Sequence, residues 1–264
     1  MKKIIFCDID GTIIDGSRGM LKISDKTKYA VEQLKKDNYF FIASGRCKAL
    51  LNQDIIDLNP SGFVLCNGAY TEYNKQMIHQ DYLSNTAVQK VKEIVDKYDG
   101  FYILETLNDL FINSTESEAF KLFTDGWGSA LKRHQSNSDE DDAYCIAMIG
   151  FKNEDICIKV QEELKDYVKA TKHNFSSSFD INSIGIDKGF GVKKVIEYLN
   201  IPIEDTYCFG DGLNDIEMLQ AVGHPVIMAN SDNSLKKYDF EETDDVLEDG
   251  FYNYLVKNKL IKEL

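Results

Sequence analysis

The chain has 264 residues, 43% of them hydrophobic and 28% charged, a composition that excludes a disordered chain and supports one large or two modest folded domains. Its formal net charge of −14 at pH 7 argues against nucleic-acid binding, so any phosphorylated ligand must be met by a metal or a few Lys and Arg side chains. Six cysteines (Cys7, Cys47, Cys66, Cys145, Cys157, Cys208) lack C-x-x-C spacing, which leaves zinc and disulfide frameworks without support and fits a reducing cytoplasm.

From the start, Ile4-Ile5-Phe6-Cys7 is a short apolar run that stops at Asp8 and Asp10, followed by Gly11 and Thr12. It predicts a buried strand whose carboxyl end, where ligands of parallel sheets bind, carries two carboxylates. Such close like charges need a cation or a shared proton. The plainer alternative is a strand followed by an Asp-Gly turn. The run is too short for a signal-peptide core, and no apolar stretch reaches membrane-spanning length. Nothing points to an obligate protein partner.

Ile13 to Leu21 reads as a short hairpin or flap with glycines at its turn. Ser24 caps a predicted helix through Tyr29, Ala30, Val31 and Leu34. Tyr39 to Ala43 is a second buried strand ending in Ser44-Gly45-Arg46, a helix follows to about Leu58, and Phe63 to Cys66 is a third strand ending in Asn67-Gly68. This alternation implies a parallel sheet with right-handed crossovers.

From about Leu83 the pattern changes. A helix from Thr86 to Tyr98 precedes strands Phe101 to Leu104 and Leu110 to Ile112, with a turn at Asn108-Asp109. A strand from Tyr144 to Ile149, a helix from Glu154 to Tyr167, and strands near Ala170 to Phe175 and Phe179 to Asn182 repeat the theme. The stretch Glu116 to Asp142, with the single Trp127, has no legible fold. Acidic runs at Asp139 to Asp142 and Glu241 to Asp245 read as solvated loops. The first pattern resumes with a helix Gly189 to Leu199, a strand Thr206 to Phe209 ending in Gly210 to Asp215, a helix through Met218, a strand Pro225 to Met228, and a helix from Asp249 to Leu260. The expected architecture is α/β: a Rossmann-like parallel-sheet core (1–82 and 184–264) with an inserted α+β domain (83–183).

A parallel sheet brings the strand-end loops of Asp8/Asp10, Ser44, Asn67-Gly68 and Asp211/Asp215 to one edge, with Lys188 shortly before the last strand. Several carboxylates without His or Cys at metal spacing favour Mg2+ over zinc. Taken singly, Ser44 could cap a helix, Lys188 could be a surface lysine in a turn, and Asp215 could bond its own loop. The four histidines, His79, His134, His173 and His224, match no triad or metal spacing and read as surface or packing residues.

In order, Asp8-Ile9-Asp10-Gly11-Thr12, Ser44-Gly45-Arg46, Lys188-Gly189 and Gly210-Asp211-Gly212-Leu213-Asn214-Asp215 resemble the four motifs of the haloacid dehalogenase superfamily. The insert between the second and third resembles the large cap of its Cof-type phosphatases, and Asn67-Gly68-Ala69 and Glu248-Asp249-Gly250 are similar to that subgroup too. The resemblance implies a phosphatase in which Asp8 attacks phosphorus and Asp10 acts as acid, then base. It further implies Mg2+ held by Asp8, the Asp10 carbonyl, Asp211 and Asp215. Lys188, Ser44, Asn214 and the amides of Ile9 and Gly45 would bind the phosphoryl group. Small phosphorylated metabolites, sugar phosphates first, are the implied substrates. A nucleotide or cofactor (flavin or pyridoxal phosphate) phosphatase is the alternative, and a catalytically idle phosphate-binding protein the rival of another class. Met228-Ala229-Asn230-Ser231 and Tyr238-Asp239-Phe240 depart from the subgroup's pattern.

Overall fold

Ile4, Ile5, Phe6 and Cys7 are all fully buried and form β1 (Ile4–Cys7), a strand covered on both faces. The computed structural model describes residues 2–114, 116–124, 143–173 and 176–264, which fall into two compact units. Residues 1–44, 51–79 and 187–264 make up unit 1; residues 45–50 and 80–186 make up unit 2.

In unit 1, the expected flap is a 3-10 turn (Gly16–Arg18) between the isolated bridges Asp10↔Ile14 and Asp15↔Met20. Arg18 bonds Asp15 at 2.6 Å and Asp245 at 2.8 Å. Ser24 caps α1 (Asp25–Asp37) by accepting from the Thr27 amide, and the helix buries Ala30, Val31 and Leu34. β2 (Tyr39–Ala43) follows. The helix expected to reach Leu58 is only α2 (Gln53–Asp57), because Asn52 starts it by capping the Ile55 amide. β3 (Gly62–Leu65) leads into a hairpin that the sequence did not betray, β4 (Tyr70–Tyr73) and β5 (Gln76–Gln80).

Unit 2 comprises α3 (Asn85–Lys97), β6 (Phe101–Glu105), β7 (Leu110–Ile112), α4 (Glu118–Thr124), β8 (Ile146–Gly150), α5 (Glu154–Leu164), β9 (Lys169–Lys172) and β10 (Ser178–Asn182). Its five strands run in the order β7-β6-β8-β10-β9, and every pairing is antiparallel. Leu104, Ala147, Ile149, Phe179 and Ile181 bury one sheet face with Val91 and Val95 of α3 and Val160 and Leu164 of α5. Glu105 and Asp180 are buried as well. Trp127, His134 and the acidic run from Asp139 lie outside the described residues, as do Asn174 and Phe175 of an expected strand.

The chain returns to unit 1 with α6 (Lys188–Leu199), β11 (Thr206–Gly210), α7 (Ile216–Leu219), β12 (His224–Met228), β13 (Glu241–Thr243) and α8 (Gly250–Lys257). The eight-stranded sheet has the order β13-β12-β11-β1-β2-β3-β4-β5, parallel from β13 to β3, with β4 antiparallel to β3. Glu241–Thr243 is therefore an edge strand rather than the solvated loop expected, since pairing with Val226 to Met228 satisfies its backbone. Alternation sorts β1 cleanly: Ile5 and Cys7 pack toward α1 and α8, whereas Ile4 and Phe6 pack toward Val192 and Val195 of α6. Asp8 continues the parity of Phe6 and so points to the α6 side. Among the described residues, no helix is long and apolar enough to cross a membrane.

Candidate active site

Asp8 sits one residue past β1, its amide bonded to the Phe209 carbonyl at 3.0 Å, and its side chain is 8% exposed. Facing it is Lys188, the first residue of α6. The Asp187 side chain caps that helix by accepting from the Phe190 amide at 2.8 Å. A tight approach sets the helix start: Gly68 has φ +93°, and a β-carbon there would stand 2.0 Å from the Asp187 carbonyl oxygen. Lys188, 1% exposed, donates to Asp8 Oδ1 at 2.8 Å and to Asp215 Oδ1 at 2.7 Å. The surface reading of Lys188 is thereby excluded.

Asp215 ends a 3-10 turn (Leu213–Asp215) and is fully buried. Its Oδ2 accepts from the amides of Asp211 and Gly212, both at 2.9 Å, so it shapes its own loop and faces Lys188 at once. Asp211, directly after β11, accepts from Thr12 Oγ1 at 3.3 Å. Carboxylate oxygens of Asp8, Asp211 and Asp215 all lie within 4.8 Å of one another.

One ammonium does not balance this group. The Asp8 carboxyl is pushed up to about 7: burial raises it most, Lys188 pulls it down, and Asp215 and Asp10 raise it. Burial, with Asp215 and Asp8 beside it, also holds Asp211 well above the usual carboxylate range. Burial works against the charge of Lys188, but Asp215 and Asp8 outweigh it and raise its pKa. A hard divalent cation fits here, because the donors are all oxygen and a second positive charge would relieve the residual repulsion.

The remaining expected residues are placed as follows. Asp10 is exposed, and its carboxylate is not part of the buried group. Ile9 is buried, and its carbonyl accepts from the amides of Thr12, Ile13 and Ile14. Ser44 is buried at the end of β2, with its amide on the Val64 carbonyl and its carbonyl on the Asn67 amide. Asn214 Nδ2 donates to Asn67 Oδ1 at 3.4 Å. Gly45 and Arg46 fall in unit 2, where Arg46 Nη1 donates to the Leu50 carbonyl. Cys7 packs on the face opposite Asp8, and its thiol donates to the Asp8 carbonyl at 3.2 Å. His79 packs on Phe190 and His224 stacks on Tyr207, but His173 bonds Ser178 at 2.7 Å and Asp180 at 2.9 Å, a polar role its spacing does not signal. Asn230, visible in the sequence only as part of a departure from the subgroup's pattern, bonds the Gly11 carbonyl through its side chain.

Comparison with known proteins gives the family. A family model of haloacid dehalogenase-like hydrolases matches residues 5–255. The Bacillus subtilis (strain 168) protein named "Putative phosphatase YkrA" is 31% identical over 97% of this chain and 96% of its own. From the same organism, the 5-amino-6-(5-phospho-D-ribitylamino)uracil phosphatase YcsE is 26% identical over 94% of this chain and 92% of its own. The solved structure of the HAD subclass IIB sugar phosphatase BT4131 superimposes with a TM-score of 0.84, covering 98% of this chain and 100% of that one. At 24% identity it speaks to the fold alone.

Proposed function

This chain belongs to the haloacid dehalogenase-like hydrolases and is one of their phosphatases; we propose that it is Mg2+-dependent and hydrolyses small phosphomonoesters, sugar phosphates first, through an aspartyl-phosphate on Asp8. The observation that carries this reading is the buried group of Asp8, Asp211 and Asp215 with Lys188 Nζ 2.8 Å from Asp8 Oδ1. Residues 1–82 and 184–264 are taken as the catalytic core and 83–183 as the inserted cap domain. The buried reduced cysteines support a cytoplasmic setting.

Asp8, the Asp10 backbone carbonyl, Asp211 and Asp215 would hold Mg2+. When bound, the ion supplies electrostatic stabilisation of the charge on the transferring phosphoryl group. Lys188 engages Oδ1 of Asp8, which leaves Oδ2 for attack in this reading. Attack forms the Asp8 Oδ2–P bond and breaks the P–O bond to the leaving alcohol. Exposed Asp10 gives its carboxyl proton to that departing oxygen. Its carboxylate then takes a proton from water as the water oxygen bonds to phosphorus, and the Asp8–phosphate bond breaks to release inorganic phosphate. The Ser44 hydroxyl, the Ile9 amide and Asn214 donate to the phosphoryl oxygens, and Lys188 offsets their charge.

A second reading, a phosphatase for a flavin precursor or related cofactor, is favoured by the 26% identical relative named for such a substrate. A phosphate-release screen with Mg2+ over p-nitrophenyl phosphate, sugar phosphates, nucleotides and phosphorylated cofactors tests both. The highest kcat/KM is expected on a sugar phosphate. A maximum on the flavin precursor selects the second reading, and no release from any compound points instead to a catalytically idle phosphate-binding protein.

A further inference from the structure

Asn230 follows β12 and is not among the buried carboxylates, yet its side chain grips the loop that carries Asp8 and Asp10. Nδ2 donates to the Gly11 carbonyl at 2.7 Å, and Oδ1 accepts from the Val246 amide at 2.9 Å. These partners fix the amide's orientation, because a carbonyl only accepts and a backbone N–H only donates. Two residues on, the Asp232 amide donates to the Asp211 carbonyl at 2.9 Å. One short segment after β12 therefore bonds both loops that supply the site's carboxylates.

The spacing between those loops is tight. Gly11 has φ +78°, and its α-carbon lies against the Asp211 carboxylate so closely that no β-carbon fits. Its amide donates to the Ile14 carbonyl at 2.7 Å, so the Gly11 residue is bonded at its N–H by its own loop and at its C=O by Asn230. A shift of Gly11 would move Asp10 and the contact with Asp211 together.

We propose that Asn230 is a positioning residue of the phosphatase: by holding the Gly11 carbonyl against the Val246 segment, it sets the separation of the Asp8-to-Asp10 loop from Asp211. The proposal rests on the reading of Asp8 and Asp10 as the reacting pair. It concerns no contact of Asn230 with substrate.

Asn230→Asp keeps the acceptor for Val246 but turns the donor facing Gly11 into an acceptor, and Asn230→Ala removes both bonds. Each variant is measured for kcat and KM on p-nitrophenyl phosphate with saturating Mg2+, for Mg2+ affinity by titration calorimetry, and for thermal unfolding. With misplacement of the loop, kcat is expected to fall on the order of tenfold to a hundredfold. KM should hold, and Mg2+ binding should weaken. A merely structural role would lower Tm while leaving kcat per folded molecule and Mg2+ affinity at wild-type values, and that result overturns the proposal. A variant that unfolds at the assay temperature is assayed at a lower one where circular dichroism shows it folded, and a wild-type kcat there overturns the proposal equally. Should the unaltered protein release no phosphate, the phosphatase reading fails. The calorimetry then decides the brace alone: weaker Mg2+ binding in the variants upholds it, and equal binding removes it.

Discussion

Gly11 and Asp211 approach so closely that a β-carbon on residue 11 would stand 2.1 Å from Asp211 Oδ2. Gly11→Ala must therefore displace that carboxylate, and it must also hold an alanine at φ +78°, which costs about 1–2 kcal/mol. We expect kcat to fall on the order of a hundredfold, with a lower Tm. Steady-state kinetics and thermal unfolding check both, and a normal kcat would mean that Asp211 does not act from this position.

Asp8→Asn preserves the side chain's size while removing the proposed nucleophile. Phosphate release is expected to drop by at least about a thousandfold. Stability should hold or rise, because the repulsion among Asp8, Asp211 and Asp215 is eased. Undiminished release from the variant would refute the nucleophile assignment. For the unaltered protein, EDTA should abolish release and added Mg2+ should restore it.

Lys188→Met leaves Asp8 and Asp215 buried without their shared ammonium. Breaking a buried ion pair in this way destabilises by roughly 3–5 kcal/mol. Mg2+ should recover part of that loss, since its charge meets the same carboxylates. Denaturant unfolding with and without Mg2+ measures both effects; unchanged stability without the ion contradicts the electrostatic account given for the site.

Glu105 in unit 2 links stability to pH. Burial, with Asp180 adding repulsion, pushes its carboxyl from an ordinary 4.5 up to about 8, although a hydrogen bond from Cys47 pulls the other way. Its Oε2 has no hydrogen-bond partner among the described residues. Because the folded form holds the proton more tightly, the stabilisation is complete below about 4.5 and is lost as pH rises through about 8. His173 adds the same sign: burial opposes its charge, but Asp180 outweighs burial and raises its pKa. Its contribution is complete below 6.5 and lost as pH rises through the raised value. Glu105→Gln should therefore stabilise the protein at pH 8 by an amount on the order of a few kcal/mol and change little at pH 5. Equal effects at the two pH values would sink this assignment.

Legibility in the sequence followed the physics of each element. The strands of unit 1 that end at Asp8, Ser44 and Asp211 were readable because burial on both faces demands unbroken apolar runs. β13 was not, since Glu241 and Glu242 are ordinary loop residues and only pairing with β12 makes them a strand. The β4–β5 hairpin turns at Asn74-Lys75, both with positive φ, where the usual Asn-Gly signal is absent. Asp8, Asp211 and Asp215 could be gathered at one sheet edge by topology and Lys188 only by the order of the four motifs, but the bonding of Asp215 to two amides and to Lys188 could not be read at all. Asn230 was noticed only as a departure from pattern, because nothing local in a sequence tells which distant carbonyl an amide will meet. Glu105 and Asp180 went unremarked for a simpler reason: alternation assigns a charged strand residue to water, and here the other sheet face is buried too.

β1 pairs with β11 along its whole length, from Ile4↔Thr206 to Cys7↔Phe209. During synthesis the first strand leaves the ribosome before Gln80–Ile186 is made, and at roughly 5–20 residues per second it waits on the order of ten seconds or more for its central neighbour. Over that interval an apolar strand has an open edge, and most of unit 2, contiguous in the chain, can fold ahead of it. Lys188 also emerges only after that stretch is complete. A nascent chain thus holds Asp8 without the Lys188 ammonium that meets its carboxylate, so the buried group of Asp8, Asp211 and Asp215 cannot assemble before residue 215 has been made.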